Sequence, residues 1–182
     1  MIYGDRIRLR AIDRDDIPRF VEWLNDPEVI EWLLIHLPMA SWEETRWFEN
    51  LANRPTEERP LALDVRQPDG FWMHIGNVGL HQIEWSNRSA EFGIFIGDKN
   101  FWNKGYGSEA TRLALKHGFE TLNLNRIYLH VYETNSRAIH AYEKVGFIHE
   151  GRLRQSTYRN GRYFDSLLMS ILRSEWDEIN RT

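Results

Sequence analysis

"FWNKGYGSEATRLAL", Phe101 to Leu115, sets two glycines and a lysine directly ahead of a strongly helical run. Just upstream, "AEFGIFIG" (Ala90–Gly97) reads as a strand, so the stretch runs strand, loop, helix. A helix start carries unpaired N–H groups and the positive end of the helix dipole. Gly105 and Gly107 keep that end bare of side chains, and Lys104 adds a full positive charge. Such a build suits a phosphate.

Outward from this stretch the pattern continues in both directions. "RIRLRAI" alternates, with Ile7, Leu9 and Ala11 on one face, and predicts a strand. "DRDDIPRFVEWLND" predicts a helix behind an Asp13/Asp16 capping box, with Ile17, Phe20, Val21 and Leu24 at helical spacing. Ser41 and Glu44 read as a second capping box, opening a helix through Trp47, Phe48 and Leu51. "PLALDVR" and "HIGNVGLHQIEW" are strands around the turn Gln67–Gly70, and "SNRS" turns into Ala90–Ile96. After the glycine loop, Ser108 is placed to cap a helix that buries Ala110, Leu113 and Ala114. "RIYLHVYE" is a strand, "NSRAIHAYEKVGF" a helix opened by Asn135 and stopped by Gly146, and "RNGR" (Arg159–Arg162) a hairpin turn. The order β-α-α-β-β-β-α-β-α-β-β predicts an α+β fold. Its single mixed, mostly antiparallel sheet carries helices on both faces, with one parallel pair across the later β-α-β unit.

The chain has 182 residues, enough for one domain with a real core, and the whole of 1–182 reads as that domain. A net charge of −4 argues against nucleic acid as a partner. With no Cys there is no disulfide, thiolate metal site or cysteine nucleophile. None of the seven histidines forms an i, i+4 metal pair or a recognisable dyad, so no metal is expected. "MIYGDRIRLR" has no apolar signal region and no later run approaches a membrane span, which points to a cytoplasmic protein with no membrane partner. Charge is unevenly spread. Glu22 to Asn50 carries seven acidic residues against Arg46 alone, whereas Lys99 to Arg162 carries eleven Lys/Arg against five Glu. One region suits a cation and the other an anion, unless both are ordinary solvated faces.

Three phosphate-binding patterns compete for the glycine loop. A P-loop needs lysine opening the helix, and Lys104 precedes the glycines, so it fails. Gly105-x-Gly107-x-x-Ala110 matches a dinucleotide fingerprint in letters. Yet seven residues separate Gly97 from Gly105, and the acidic residue required about 20 after the first glycine is missing, Glu133 lying 28 after Gly105. The third pattern fits. Strand, "WNKGYGSEA", helix, "RIYLHVYETN", then "NSRAIHAYEKVGF" resembles the GCN5-related N-acetyltransferase (GNAT) superfamily. The branch is that of ribosomal-protein N-terminal and spermidine acetyltransferases, and the likeness spans about residues 7–176. Trp102 departs from the Gln or Arg common three residues before the first glycine, a position where backbone amides rather than the side chain hold the pyrophosphate.

The resemblance implies acetyl transfer from acetyl-CoA, without a metal, to a primary amine. Acetyl-CoA is expected to wedge between splayed parallel strands, Ala90–Ile96 and Arg126–Glu133. Its pantetheine would pair near Phe95 and Ile96, and its pyrophosphate would meet Asn103, Lys104, Gly105, Tyr106, Gly107 and Ser108. Asn135 would contact the pantetheine arm, and Arg137 and Lys144 the adenosine 3′-phosphate. Tyr142 takes the place of the family's general acid; a phenol with pKa about 10 is protonated at neutral pH. Glu91 is the candidate general base, with a purely binding carboxylate as the alternative. The acceptor enters between the first two helices, where the acidic excess favours a cationic amine: a polyamine, a peptide or protein N-terminus, or a small amine metabolite. Oligomeric state stays open. A non-catalytic acyl-CoA sensor of the same fold is the rival reading.

Overall fold

The computed structural model describes residues 1–35 and 38–181. One sheet of eight strands runs in the order β1-β2-β3-β4-β5-β6-β8-β7. Its strands are β1 (Ile2–Tyr3), β2 (Ile7–Ala11), β3 (Leu61–Arg66), β4 (Trp72–Glu84), β5 (Ser89–Ile96), β6 (Arg126–Tyr132), β7 (Ile148–Arg159) and β8 (Arg162–Leu172). The helices are α1 (Ile17–Leu24), α2 (Pro27–Ile30), α3 (Ser41–Asn50), α4 (Tyr106–Lys116), α5 (Ser136–Val145) and α6 (Arg173–Ile179). Every neighbouring pair is antiparallel except β5–β6. The mixed α+β architecture expected from the pattern is therefore the one observed, with β1, α2 and α6 added to it.

The parallel pair holds only at its start. Ser89, Ala90 and Glu91 face Arg126, Ile127 and Tyr128, and beyond that register the two strands part. β5 runs on beside β4 and β6 beside β8, leaving a V-shaped opening between them in the middle of the sheet.

Alternation assigns the two faces. Ile7 and Leu9 of β2, Phe92 of β5 and Ile127 and Leu129 of β6 enter one core with Ala110, Ala114 and Leu115 of α4 and Val145 of α5. The opposite face is covered by α1–α3, whose Phe20, Trp23, Leu24 and Val29 form a second core that also receives Phe95. Burying a side chain such as Phe20 is worth about 1.5–3 kcal/mol, so both layers are held apolarly.

An ionic network adds direction on the α1 side. Asp64, 1% exposed, accepts from Arg8 Nε at 2.8 Å and Arg10 Nε at 2.9 Å. Arg10 also forks onto Asp16 through two bonds of 2.7 Å, and His74 Nδ1 lies 3.2 Å from Asp16 Oδ1. Four elements, β2, β3, β4 and the start of α1, are tied at one point.

Two expected caps are corrected. At α3 the capping residue is Ala40, whose N–H donates to Glu43 at 2.8 Å; Ser41 is already helical and Glu44 is buried rather than turned back to the helix start. At α4 the cap is Gly105, with φ of 82°, and Ser108 sits inside the first turn. By contrast, the Asp13/Asp16 box, the Asn135 cap to Ala138 N–H (3.1 Å), the Gly146 stop and the Asn160-Gly161 hairpin turn appear as read. Among the described residues no helix is long and apolar enough to cross a membrane.

Candidate active site

A cleft of about 1970 Å³ passes through the V, lined by β4, β5 and β6 and by α5 and the glycine loop, and reaching α2 and Trp47 of α3. Its walls on the two faces of the sheet differ in kind.

On the α4–α5 side the glycine loop and the edge of β5 offer mainly backbone groups, beside side chains of α5. Asn103 (φ 58°) and Gly105 (φ 82°) are both left-handed, a conformation that asparagine tolerates and glycine adopts freely. They wind the loop into the first turn of α4, where no side chain caps the helix. The N–H groups of Tyr106, Gly107 and Ser108 have no hydrogen-bond partner among the described residues, and all three residues line the cleft. Lys104 does not join them. Lys104 is not among the residues lining the cleft, and its ammonium lies 5.7 Å from the ring of Phe101, which is. The brace behind the loop is instead Arg6, which the sequence reading missed. Its guanidinium pairs with Glu109 at 2.9 Å, lies 4.6 Å over the Tyr106 ring and donates to the Lys104 carbonyl at 3.2 Å.

The free edge of β5 follows from the phase of its ladder. Gly97 N–H bonds the Ile75 carbonyl of β4, whereas the Arg88 carbonyl accepts from Arg126 N–H of β6. Odd-numbered peptide groups thus turn toward β4 and even-numbered ones toward β6. Ile94 and Ile96 present theirs to the opening, and Phe95 does not. The Ile96 carbonyl already accepts from the Trp102 indole at 2.8 Å, leaving Ile94 N–H and C=O and Ile96 N–H. Arg137 lies over that same indole at 4.1 Å, so Trp102 links the glycine-loop wall to α5. Asn135 and Lys144 line the cleft beside it.

Tyr142 stands on the same side, edge-on to Phe92 (6.1 Å, 88°) and tilted against Phe147 (5.7 Å). Burial in this aromatic setting pushes its phenol up to about 12. It reaches the cleft, and its hydroxyl has no hydrogen-bond partner among the described residues.

The α1–α3 side presents side chains. Glu91 Oε1 is 3.0 Å from His130 Nδ1; Oε2 accepts from Gln82 Nε2 at 2.8 Å and lies 3.6 Å from His81 Nε2. A carboxylate–imidazole dyad therefore exists, correcting the expectation of none. With His81 the cluster spans three strands, and only the registers Glu91↔His81 and Glu91↔Tyr128, the latter setting His130 two residues on along the same face, bring its members together. The acidic stretch is mostly engaged elsewhere. Asp26 and Glu28 hold Lys99 at 2.7 and 3.5 Å, Glu49 meets Arg14 at 3.3 Å, and Glu43 caps α3. Of its seven acids only Glu31 lines the cleft, joined there by Glu58 and Glu91.

Comparison with known proteins agrees with this geometry. Residues 6–148 match the family model of the acetyltransferase (GNAT) domain. The spermidine N(1)-acetyltransferase of Vibrio cholerae is 36% identical over 179 residues, 98% of this chain and 99% of that protein. The putative ribosomal N-acetyltransferase YdaF of Bacillus subtilis is 35% identical over 182 residues, 96% of this chain and 95% of that protein. Among solved structures, spermidine N-acetyltransferase from Vibrio cholerae in complex with CoA and spermine superposes with a TM-score of 0.82 at 32% identity, covering 95% of this chain and 99% of that one.

Proposed function

The chain belongs to the GNAT acetyltransferase family and is an acetyl-CoA-dependent N-acetyltransferase; from that premise we propose that its acceptor is a primary amine of a cationic polyamine. One observation carries the reading: the sheet opens after Glu91 and Tyr128, with a phenol on one face and a carboxylate–imidazole cluster on the other.

Acetyl-CoA, when bound, supplies the thioester. The groups that would hold it are the amides of Asn103 to Ser108 for the pyrophosphate and the free peptide groups of Ile94 and Ile96 for the pantetheine arm. Asn135 would hold the same arm, and Arg137 and Lys144 the adenosine phosphate. Backbone amides at a helix start satisfy a polyanion without needing a matching lysine.

Tyr142 keeps a proton at Oη. Burial favours the neutral phenol, and its unpartnered hydroxyl is free to donate to a leaving sulfur. Across the opening, the Glu91 cluster receives the proton that the acceptor must lose. An alkylammonium has a pKa near that of lysine, about 10.4, so it arrives charged and unreactive. Glu31, Glu58 and Glu91 give the acceptor side of the cleft a negative lining suited to that charge.

Support for the polyamine comes from the 36% identical spermidine N(1)-acetyltransferase; the 35% identical YdaF supports a second reading, a protein or peptide N-terminus. A panel of spermidine, spermine, short peptides, amino acids and aminoglycosides, followed by CoA release, decides between them. The expected result is the highest kcat/KM with a polyamine. A peptide N-terminus ranking first replaces the reading with the second one, and a neutral or anionic best acceptor overturns both.

A further inference from the structure

We infer that His130 is the proton acceptor for the incoming ammonium and that Glu91 is its positioning residue. This deepens the proposed function, on which it rests, by naming the atom that takes the proton.

The argument begins with occupancy of the carboxylate. Both Glu91 oxygens are engaged, one by His130 and the other by Gln82 beside His81, and the side chain is only 17% exposed. Both residues line the cleft, and His130, 38% exposed, is the more open of the pair. An ionised carboxylate only accepts hydrogen bonds, so the Glu91 contact fixes the proton of neutral His130 on Nδ1. Its Nε2 is left with a free lone pair. A buried acid holding the far nitrogen of an imidazole is the arrangement that makes the near nitrogen a base in hydrolytic triads.

The backbone supplies an independent observation. Adjacent residues on a strand point to opposite faces, yet His81 and Gln82 both reach Glu91. They do so because the β4–β5 register slips between His81 and Glu84 and Gln82 takes a φ of +51°. A non-glycine residue held there costs on the order of 1–3 kcal/mol and persists only where the surroundings enforce it. Gly93 completes the arrangement. A Cβ there would come within 3.1 Å of His81 Cε1, so the absence of a side chain makes room for the second imidazole.

The charged and titratable neighbours are few. His81 and Glu84 approach from β4, and Tyr128 and Arg126 from β6. The Tyr128 ring stands edge-on to His130 at 5.9 Å and Arg126 lies 5.7 Å from that ring. On β8 the residue opposite His130 is the apolar Leu168.

The step is a simple proton transfer. R–NH3+ gives one proton to Nε2 of neutral His130, the N–H bonding pair stays on nitrogen, and R–NH2 and the imidazolium result. Glu91 neutralises the imidazolium, which returns its proton to solvent through the cleft.

Two kinds of measurement test this. In the substrate-free protein, imidazole 15N shifts at neutral pH should find the His130 proton on Nδ1, and Glu91→Gln should abolish that preference. In turnover with the best amine of the panel, His130→Ala should lower kcat/KM by roughly 10²–10⁴ and flatten the acid limb of its pH profile. Added imidazole should restore part of the rate, while acetyl-CoA affinity by calorimetry stays within about twofold. His130→Asn serves if the alanine variant does not fold. The inference is overturned if either variant keeps near-normal turnover with an unchanged pH profile. It is equally overturned if Glu91→Gln is crippled while His130→Ala is not, since the carboxylate is then the base. A best acceptor that is not cationic defeats the polyamine reading alone, because the His130 tests run with whichever amine turns over.

Discussion

On the α4–α5 side of the sheet opening, the groups that face the cleft are mainly peptide N–H and C=O: the loop from Asn103 to Ser108 and the free edge at Ile94 and Ile96. On the α1–α3 side they are carboxylates and imidazoles contributed by β4, β5 and β6 and by the loop after α2. Backbone recognition demands special dihedrals, and special dihedrals demand particular residues in a short run. Side-chain recognition demands only that distant positions meet. The first leaves a signature in consecutive letters; the second is written in strand register. Four experiments break or sharpen this contrast.

The largest effect is expected at Tyr142, the one side chain on the peptide-dominated wall to which the proposal gives chemistry. Tyr142→Phe keeps the ring packed on Phe92 and Phe147 and removes the donor, so kcat should fall by roughly 10²–10⁴ with acetyl-CoA affinity nearly intact. Because burial raises the phenol to about 12, the wild-type enzyme should show no loss of rate from Tyr142 ionisation at mildly alkaline pH. Near-normal turnover in the phenylalanine variant, with chemistry rate-limiting, reduces Tyr142 to packing.

Next comes the ionic tie beneath α1. Burial alone would raise the Asp16 carboxyl, but its bonds to Arg10 and His74 outweigh that and hold it well below the usual 3.8. A depressed folded value means the contribution is complete above the unfolded pKa of about 4 and is lost as pH falls below it. Removing one partner of a buried pair costs about 3–5 kcal/mol, a large share of a typical 5–15 kcal/mol. Urea unfolding of Asp16→Asn should therefore lie far below wild type at pH 7, and the gap should narrow on acidification. A gap that widens reverses the sign of the argument.

For the glycine loop, Gly105→Val is the direct test. Space is available, since a Cβ would meet nothing nearer than Arg6 Nη2 at 3.4 Å, but φ is +82°. A left-handed residue with a side chain costs roughly 1–2 kcal/mol, more when β-branched, so acetyl-CoA should bind about 10–100-fold more weakly by calorimetry. The acceptor side should be unaffected, with the His130 tautomer unchanged. Equal loss on both sides would mean the two walls are one cooperative unit.

The legibility of the sequence follows the same division. Gly105, Asn135, Gly146 and the Asn160-Gly161 turn were readable because one residue type satisfies one local geometry. Ser41 and Ser108 resemble caps in sequence, but the caps are Ala40 and Gly105, whose chain is satisfied by Glu43 in one case and by no side chain in the other. The splayed pair could be placed from the motif order, but the phase that turns Ile94 rather than Phe95 to the opening depends on which peptide bonds β4. His81 and His130 gave no signal at all. Their spacing of 49 residues carries no period, and a bulge at Gln82 breaks the alternation of β4 just after His81. Arg6 was equally silent, since it acts on a loop about a hundred residues away.

The smallest effect concerns the acidic stretch, where a count of charges predicted more than the fold provides. If the whole stretch recruited the acceptor, Glu28, Glu31 and Glu43 would contribute alike. The fold instead pairs Glu28 with Lys99 and sets Glu43 on the α3 cap, leaving Glu31 on the cleft. Two unit charges about 4 Å apart in water attract by about 1 kcal/mol, and exposed charges are screened beyond about 10 Å at 0.1 M salt. Glu31→Gln should therefore raise the acceptor KM by about two- to fivefold at low salt, and the increase should vanish as salt is added. Glu28→Gln and Glu43→Gln should leave the acceptor KM and its salt dependence alone. Acetyl-CoA is itself charged, so its KM is followed separately and must not change with Glu31. Equal responses from all three glutamates would restore the stretch as a diffuse electrostatic funnel. No response from Glu31 would leave Glu58 and Glu91 as the acidic groups that meet the cation.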